Sequence, residues 1–215
     1  MIKLNLLVSL LLIFNPVFAF ATDINCHIGF ISVEAFVDCL FMHTVPDRFY
    51  NLATYTIAQP SGPAEIDAWT TAVNNTLTFG CPGDAVERVP GLENDYVLAR
   101  VTDSMPFGKT WCVLVETHTF DDTTTAFRRG WGFVITPYQT VTPATRSLHF
   151  SAPHPLSDAN TPHQAASLFR RTGAKSLVVT GRHRRAYETA TSCSEAPPPD
   201  TFYKTDAAHD NVSVA

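Results

Sequence analysis

From Arg146 onward the spacing of apolar residues changes twice, and the changes mark out three consecutive elements. Arg146 to Ser151 (RSLHFS) alternates, with Leu148 and Phe150 on one side, which is the period of a strand. Ala165, Leu168, Phe169 and Thr172 then recur at i, i+3, i+4 and i+7, the inward stripe of a helix. Thr161-Pro162-His163-Gln164 opens that helix: Thr161 can cap, Pro162 suits the first helical position, and Gln164 completes a capping box. Arg170 and Arg171 fall in the last turn, and Gly173 fits the C-terminal cap. Ala174 to Thr180 (AKSLVVT) is a short β-branched run with the look of a buried strand. Strand, helix and strand together predict a βαβ unit over 146–180, with a right-handed crossover between two parallel strands.

The first half is patterned less clearly. Residues 22–60 are mixed and favour no element. After the turn Ser61-Gly62-Pro63, the stretch Ala64 to Val73 predicts a short helix with Ile66, Trp69 and Val73 on one face. Cys81-Pro82-Gly83-Asp84 and Val89-Pro90-Gly91 are breaks. Strands are expected over Tyr96 to Val101, Thr110 to Thr117 and Gly132 to Thr136, the last two as buried-type runs. The fold class this gives is α/β: a single domain with a mixed or mostly parallel sheet flanked by helices.

The N-terminus changes the picture of where the domain works. Lys3, the apolar run Leu4 to Phe14, and Ala19-Phe20-Ala21 match the three parts of a secretory signal peptide over 1–21. Asn5, Ser9, Asn15 and Pro16 interrupt the run, so it reads as a signal rather than a membrane span. The expectation is therefore one secreted domain over 22–215 that keeps no stable membrane association once the signal is cut. All five cysteines (Cys26, Cys39, Cys81, Cys112 and Cys193) follow the signal, so disulfides are expected with at least one cysteine left over. Cys26 with Cys39 would make a short N-terminal staple, and other pairings stay open. The absence of a CxxC pair argues against a cysteine zinc cluster or a thioredoxin-type site. Asn74-Asn75-Thr76 and Asn211-Val212-Ser213 are glycosylation acceptors in a eukaryotic host. With 45% hydrophobic and 16% charged residues and a net charge of −5, the chain is an ordinary globular one and no nucleic-acid binder. The proline-rich loop Ser194 to Asp200 is followed by little more than TFYKTDAAHDNVSVA, and an α/β domain stopping there reads as short of its last elements.

The candidate chemistry follows from the βαβ unit. His154 lies just past the first strand and His183 just past the second, at the edge where open α/β sheets bind ligands. Asp158 shares the loop of His154, and the helix from Pro162 turns its positive end toward the same edge. Two imidazoles and a carboxylate are ligands that Zn²⁺ accepts, with a fourth position left for water. His154, Asp158 and His183 are thus the candidate zinc ligands. Asp206 and His209 are the candidates for general base; His209 could instead be the third ligand, with Asp158 supporting it from behind. Arg182 and Arg184, with Arg185 beside them, could hold a substrate carboxylate or phosphate. His27, His43, His118, His149 and His163 read as structural or solvated, Trp131 as packing before substrate wall, and Cys193 as a disulfide partner. The lack of a GxSxG elbow argues against a serine hydrolase.

The run Ser151-Ala152-Pro153-His154, then Asp158, then Thr161 opening a helix, resembles zinc amidohydrolases of the N-formylglutamate amidohydrolase and poly-gamma-glutamate hydrolase type, relatives of the zinc carboxypeptidases. The resemblance covers roughly residues 146–185. It implies that His154 and Asp158 are the first ligand pair and His183 the second histidine, in an α/β fold that cleaves an amide bond next to a carboxylate. The chain departs from the group in having Asp158 rather than glutamate, and Pro155-Leu156-Ser157 where the group has a glycine-rich turn. The expected function is a secreted zinc-dependent hydrolase of an amide or related bond in a small or extended anionic substrate. The alternatives are a secreted binding or effector-like protein without catalysis, and a metal-dependent phosphoesterase.

Overall fold

A strand whose two faces are both covered reads as a near-continuous apolar run, and Thr110–Glu116 (TWCVLVE) is buried throughout in the computed structural model. The structure describes residues 24, 26, 32–81, 86–104, 108–140 and 142–187. In chain order these form helices α1 (Val33–Phe41), α2 (Leu52–Ala58) and α3 (Pro63–Phe79), then strands β1 (Glu87–Arg88), β2 (Tyr96–Thr102), β3 (Thr110–Glu116), β4 (Phe133–Pro137) and β5 (His149–Ala152). Helix α4 (Thr161–Thr172) and strand β6 (Ser176–Val179) complete them. The six strands make one sheet in the order β1-β2-β3-β4-β6-β5. Only β5 and β6 pair in parallel; the four other pairs are antiparallel. The α/β class holds, and the sheet is mixed rather than mostly parallel. The hairpin-linked strands β1 to β4 make it so.

Alternation along the strands divides the core in two. Trp111, Val113 and Val115 of β3, with Phe133, Ile135, Leu177 and Val179 beside them, pack in one cluster with α1 and α4 through Val33, Phe36, Leu40, Ala166 and Phe169. Leu114, Val134, Tyr96 and Trp131 face the other way and pack with Trp69 of α3. Disulfides tie both layers: Cys26–Cys39 anchors the chain ahead of α1, and Cys81–Cys112 joins the end of α3 to β3.

The βαβ unit forms as expected, with β5 and β6 in parallel register and α4 between them. Two details differ. No capping box forms: Asn160 is the N-cap, in a left-handed conformation with no side-chain cap bond, and the Thr161 hydroxyl donates to the Asp158 carbonyl at 2.6 Å. Gln164 therefore has no reciprocal partner to complete, because the preceding turn already uses Thr161. The buried face of α4 is Pro162, Ala165, Ala166 and Phe169, while Leu168 is half exposed. Ala166 is fully buried in the cluster that α1 and α4 share, and the helix turns Leu168 toward solvent. Gly173 ends the helix at φ 66°, as expected, with its N–H donating to Phe169 O.

The expected helix from Ala64 runs on to Phe79, since nothing before Gly80 breaks it. Residues 22–60, which favour no element in the sequence, supply α1 and α2, each opened by a side-chain cap: Ser32 onto Ala35 N, and Asn51 in a capping box with Thr54. The signal segment 1–21, the break at 82–84, Cys193, Asn211, Asp206 and His209 lie outside the described residues. No helix among the described residues is long and apolar enough to cross a membrane.

Candidate functional site

Because β5 and β6 are parallel, both chains leave the sheet at the same edge, and two bonds hold them together there. Thr180 N donates to Ala152 O at 3.3 Å, and the Thr180 hydroxyl donates to Pro153 O at 2.6 Å. Past this tie the first chain winds one tight turn, with Ser157 N and Asp158 N both donating to His154 O, at 3.1 and 3.0 Å. That turn sets the Asp158 carboxylate 3.6 Å from His154 Nδ1. The second chain runs along residues 45–50, which flank it through Val45 N to Gly181 O at 2.8 Å and His183 N to Val45 O at 2.7 Å. Further on, Arg48 N donates to Arg185 O at 2.8 Å and Tyr50 N to Ala186 O at 2.9 Å. This flanking run brings Asp47 to 3.8 Å from His183 Nδ1 and 3.5 Å from Arg185 Nε.

His183 is the link between the loops. Its Nδ1 accepts the N–H of Arg185 at 3.0 Å, so that nitrogen carries no proton. In the neutral ring Nε2 then bears the hydrogen, and it lies 3.0 Å from Ser157 Oγ, toward which it donates. His154 and His183 are thus brought to one edge, each bound to the loop 154–158 by side-chain contacts. Ser157 and Asp47 complete the cluster, and neither is marked in the sequence: Ser157 sits inside a quoted loop with no motif around it, and Asp47 is more than a hundred residues away along the chain.

As a cradle for zinc the edge fits in part. His154 and Asp158 stand side by side and reach solvent, with side chains 19% and 52% exposed, and are of the right ligand types. His183 has both ring nitrogens engaged, and its lone pair becomes available to a metal only when the Arg185 N–H leaves Nδ1. Among the described residues, the set of three whose donor atoms all lie within 4.8 Å of one another is a different one, Cys26, Cys39 and His43. Those residues could hold a metal, but the two sulfurs are joined as a disulfide.

The arginines divide. Arg184 is exposed at the same edge. Arg182 is buried, 1% exposed, and its guanidinium donates to Arg129 O at 2.6 Å and to Ala58 O at 3.2 Å. It also lies over the rings of Tyr50 and Tyr55, 5.6 and 5.5 Å from their centroids. The structure thus corrects the expectation that Arg182 binds substrate: it fastens the His183 loop to the interior. Trp131 is a packing residue, fully buried, with its indole N–H donating to Ala58 O at 2.8 Å.

Behind this edge lies a buried acid that sequence reading passed over as part of an apolar strand. Glu116, on β3, accepts the backbone N–H groups of Arg129 and Gly130 and the hydroxyl of Tyr96, the last at 3.2 Å. Burial pushes its carboxyl from an ordinary 4.5 up to about 8, and the Asp95 charge adds to the rise, against the two backbone donors, which favour the ionised form. Burial likewise raises the Tyr96 hydroxyl well above its usual value, with the Glu116 charge acting the same way. Arg129 itself bonds Asp95 at 2.9 Å and Glu65 at 2.7 Å, and caps the end of α2 through Gln59 O at 2.9 Å.

Three clefts of about 400, 360 and 290 Å³ lie elsewhere, along α3 with β1 and around the 118–128 loop, and none of the three is lined by His154 or His183. Compared with family models, with curated proteins and with solved structures, the chain matches none.

Proposed function

We propose that the chain is a secreted hydrolase whose reaction centre is the loop cluster beyond β5 and β6, with His154 and Asp158 as a zinc-ligand pair and His183 as the third ligand. The observation that supports it most is the convergence of these loops: a parallel crossover returns His183 to within hydrogen-bonding distance of the loop bearing His154 and Asp158. Zinc there would supply Lewis acidity to a substrate carbonyl. The resemblance to N-formylglutamate amidohydrolases and poly-gamma-glutamate hydrolases makes the substrate an amide beside a carboxylate. Arg184, exposed at the edge, would meet that carboxylate. Asp206 and His209 remain the proposed source of the base. Secretion is part of the proposal; the two disulfides support an oxidising compartment.

Metal analysis of the purified protein tests this. One zinc per chain in wild type, and none in folded His154→Ala and Asp158→Asn variants, is the expected result. A folded wild type without zinc overturns it. Cleavage of N-acyl amino acids but not phosphate esters would then mark an amidase rather than a phosphoesterase.

The bonds on both nitrogens of His183 favour one other reading, in which the histidine only ties two loops and the protein binds a ligand without turning it over. In that case zinc is absent and His183→Ala costs stability alone.

A further inference from the structure

His43 follows the last residue of α1 by two positions, and the helical winding carries on through it. Met42 N donates to Cys39 O at 3.2 Å and His43 N to Leu40 O at 3.0 Å. Cys39 and His43, four residues apart, therefore share one side of that winding. The His43 Nδ1 lies 2.6 Å from the carbonyl oxygen of Thr125. A carbonyl only accepts, so Nδ1 carries the proton, and Nε2 of the neutral ring is left with its lone pair. The same loop grips the residue a second time, through Phe127 N to His43 O at 2.7 Å. An imidazole whose Nδ1–H is held by a backbone carbonyl is the form in which proteins present Nε2 to metals. Donor atoms of Cys26, Cys39 and His43 lie within 4.8 Å of one another, Cys26 buried and the other two half-buried.

We propose that Cys26, Cys39 and His43 form a redox-gated metal site, closed while the cysteines are a disulfide and competent for Zn²⁺ once a dithiol reductant opens it. The dithiol transfers two electrons and two protons to the Cys26–Cys39 bond and becomes a disulfide itself; the S–S bond breaks and two thiols form. Binding Zn²⁺ then displaces both thiol protons to solvent, and two thiolates and one imidazole hold the ion, with a fourth tetrahedral position left for water. Ligands of these types suit zinc. The consequence is structural: the chain at Cys26 stays fastened to α1 in both redox states, by a covalent bond in one and through the ion in the other. The proposal is independent of zinc at His154, because the two sites share no residue.

Cobalt titration of the full chain tests it, since only thiolate ligands give a sulfur-to-cobalt charge-transfer band and the described residues at the edge beyond β5 include no cysteine. The oxidised protein should show no such band. After anaerobic reduction and removal of the reductant, with the fold followed by circular dichroism, one equivalent of Co²⁺ should produce the band together with the intense visible absorption of a tetrahedral site. Cys39→Ser should abolish it, Cys193→Ser should leave it unchanged, and His43→Ala should weaken binding tenfold or more. Where His43→Ala fails to fold, His43→Gln, which can still hydrogen-bond Thr125 O, gives the same reading. A reduced wild type that unfolds or takes up no cobalt overturns the proposal, and so does binding that is equally tight in the His43 variants.

Discussion

Replacing Glu116 by glutamine should change how stability depends on pH, and the structure sets both the sign and the size. The carboxyl is fully buried, and its folded-state value of about 8 lies above an ordinary 4.5. Between those two values the folded chain holds a proton that the unfolded chain has released. The folded state thus binds more protons, and stability falls as pH rises across that window. At about 1.4 kcal/mol per pH unit the full span gives a ceiling of about 5 kcal/mol, present below pH 4.5 and gone above about 8. Glutamine cannot ionise, so this slope disappears. Its amide NH₂ must also face one of the backbone N–H groups of Arg129 and Gly130 that both carboxyl oxygens now accept. That leaves a buried donor unpaired, at a cost of about 1–3 kcal/mol. The Glu116→Gln variant should therefore be less stable than wild type at pH 5 by about 1–3 kcal/mol, the curves should cross between about pH 6 and 7, and the variant should be the more stable at pH 8. Urea unfolding followed by tryptophan fluorescence, with disulfides intact, at pH 5, 6, 7 and 8 measures both curves. All other titrating groups are common to both proteins and cancel in the difference. Parallel curves for the two proteins would refute the reasoning, whatever their common slope.

Phe169→Ala should destabilise by about 3–5 kcal/mol and Leu168→Ala by under about 0.5 kcal/mol, because only Phe169 lies in the core; the two denaturant midpoints check which face of α4 is buried. Arg182→Ala leaves the Arg129 carbonyl without its donor, leaves the Ala58 carbonyl with Trp131 alone, and opens a void beside Tyr50 and Tyr55; it should cost about 3 kcal/mol, with Arg182→Lys recovering part of it. Thermal unfolding reads both, and a neutral Arg182→Ala would restore the residue as a candidate ligand contact. At Gly181 an added Cβ would stand 2.8 Å from the carbonyl of Gly130, backbone against backbone, so Gly181→Ala should lower stability by about 1–3 kcal/mol and increase hydrogen exchange over 181–186.

Elements with a local cause were legible in the sequence. The strands β2 to β4 announce themselves by apolar runs between breakers, and the βαβ unit by two changes of period, because burial on a sheet or helix face repeats with the geometry of that element. The register of α4 was not legible in full: Leu168 and Ala166 compete for the core, and the outcome depends on how closely α1 approaches, which no period encodes. Nor could alternation along β3 reveal Glu116 as functional or structural, since a strand covered on both faces shows no polar side, and the acid ends an otherwise apolar run. Its partners at 129 and 130 arrive from a loop whose path is set by Arg129 and Trp131 reaching α2.

The candidate site divides along the same line. His154 and Asp158 face each other because one tight turn puts residues four apart together, and spacing alone foretells that. Whether an imidazole then serves as ligand, base or tie is decided by what its second nitrogen meets. For His183 that partner is the N–H of Arg185, with Asp47 close by, and both are placed by the run 45–50 lying against 181–186. For His43 it is Thr125 O, eighty-two residues on. The two histidines therefore differ in what a metal would meet: His183, at the expected edge, has its lone pair occupied by an amide, while His43, beside a disulfide at a helix end, has Nε2 in the form that metals take. A ring in which one nitrogen accepts and the other donates can bind a metal only after breaking a bond. A ring held through Nδ1–H has no such bond to break at that nitrogen. Metal affinity at the two places should accordingly respond in opposite ways to mutation of the neighbour: loosening the 45–50 run frees His183 and favours binding at the edge, whereas loosening the 125–127 loop releases the tautomer of His43 and weakens binding there.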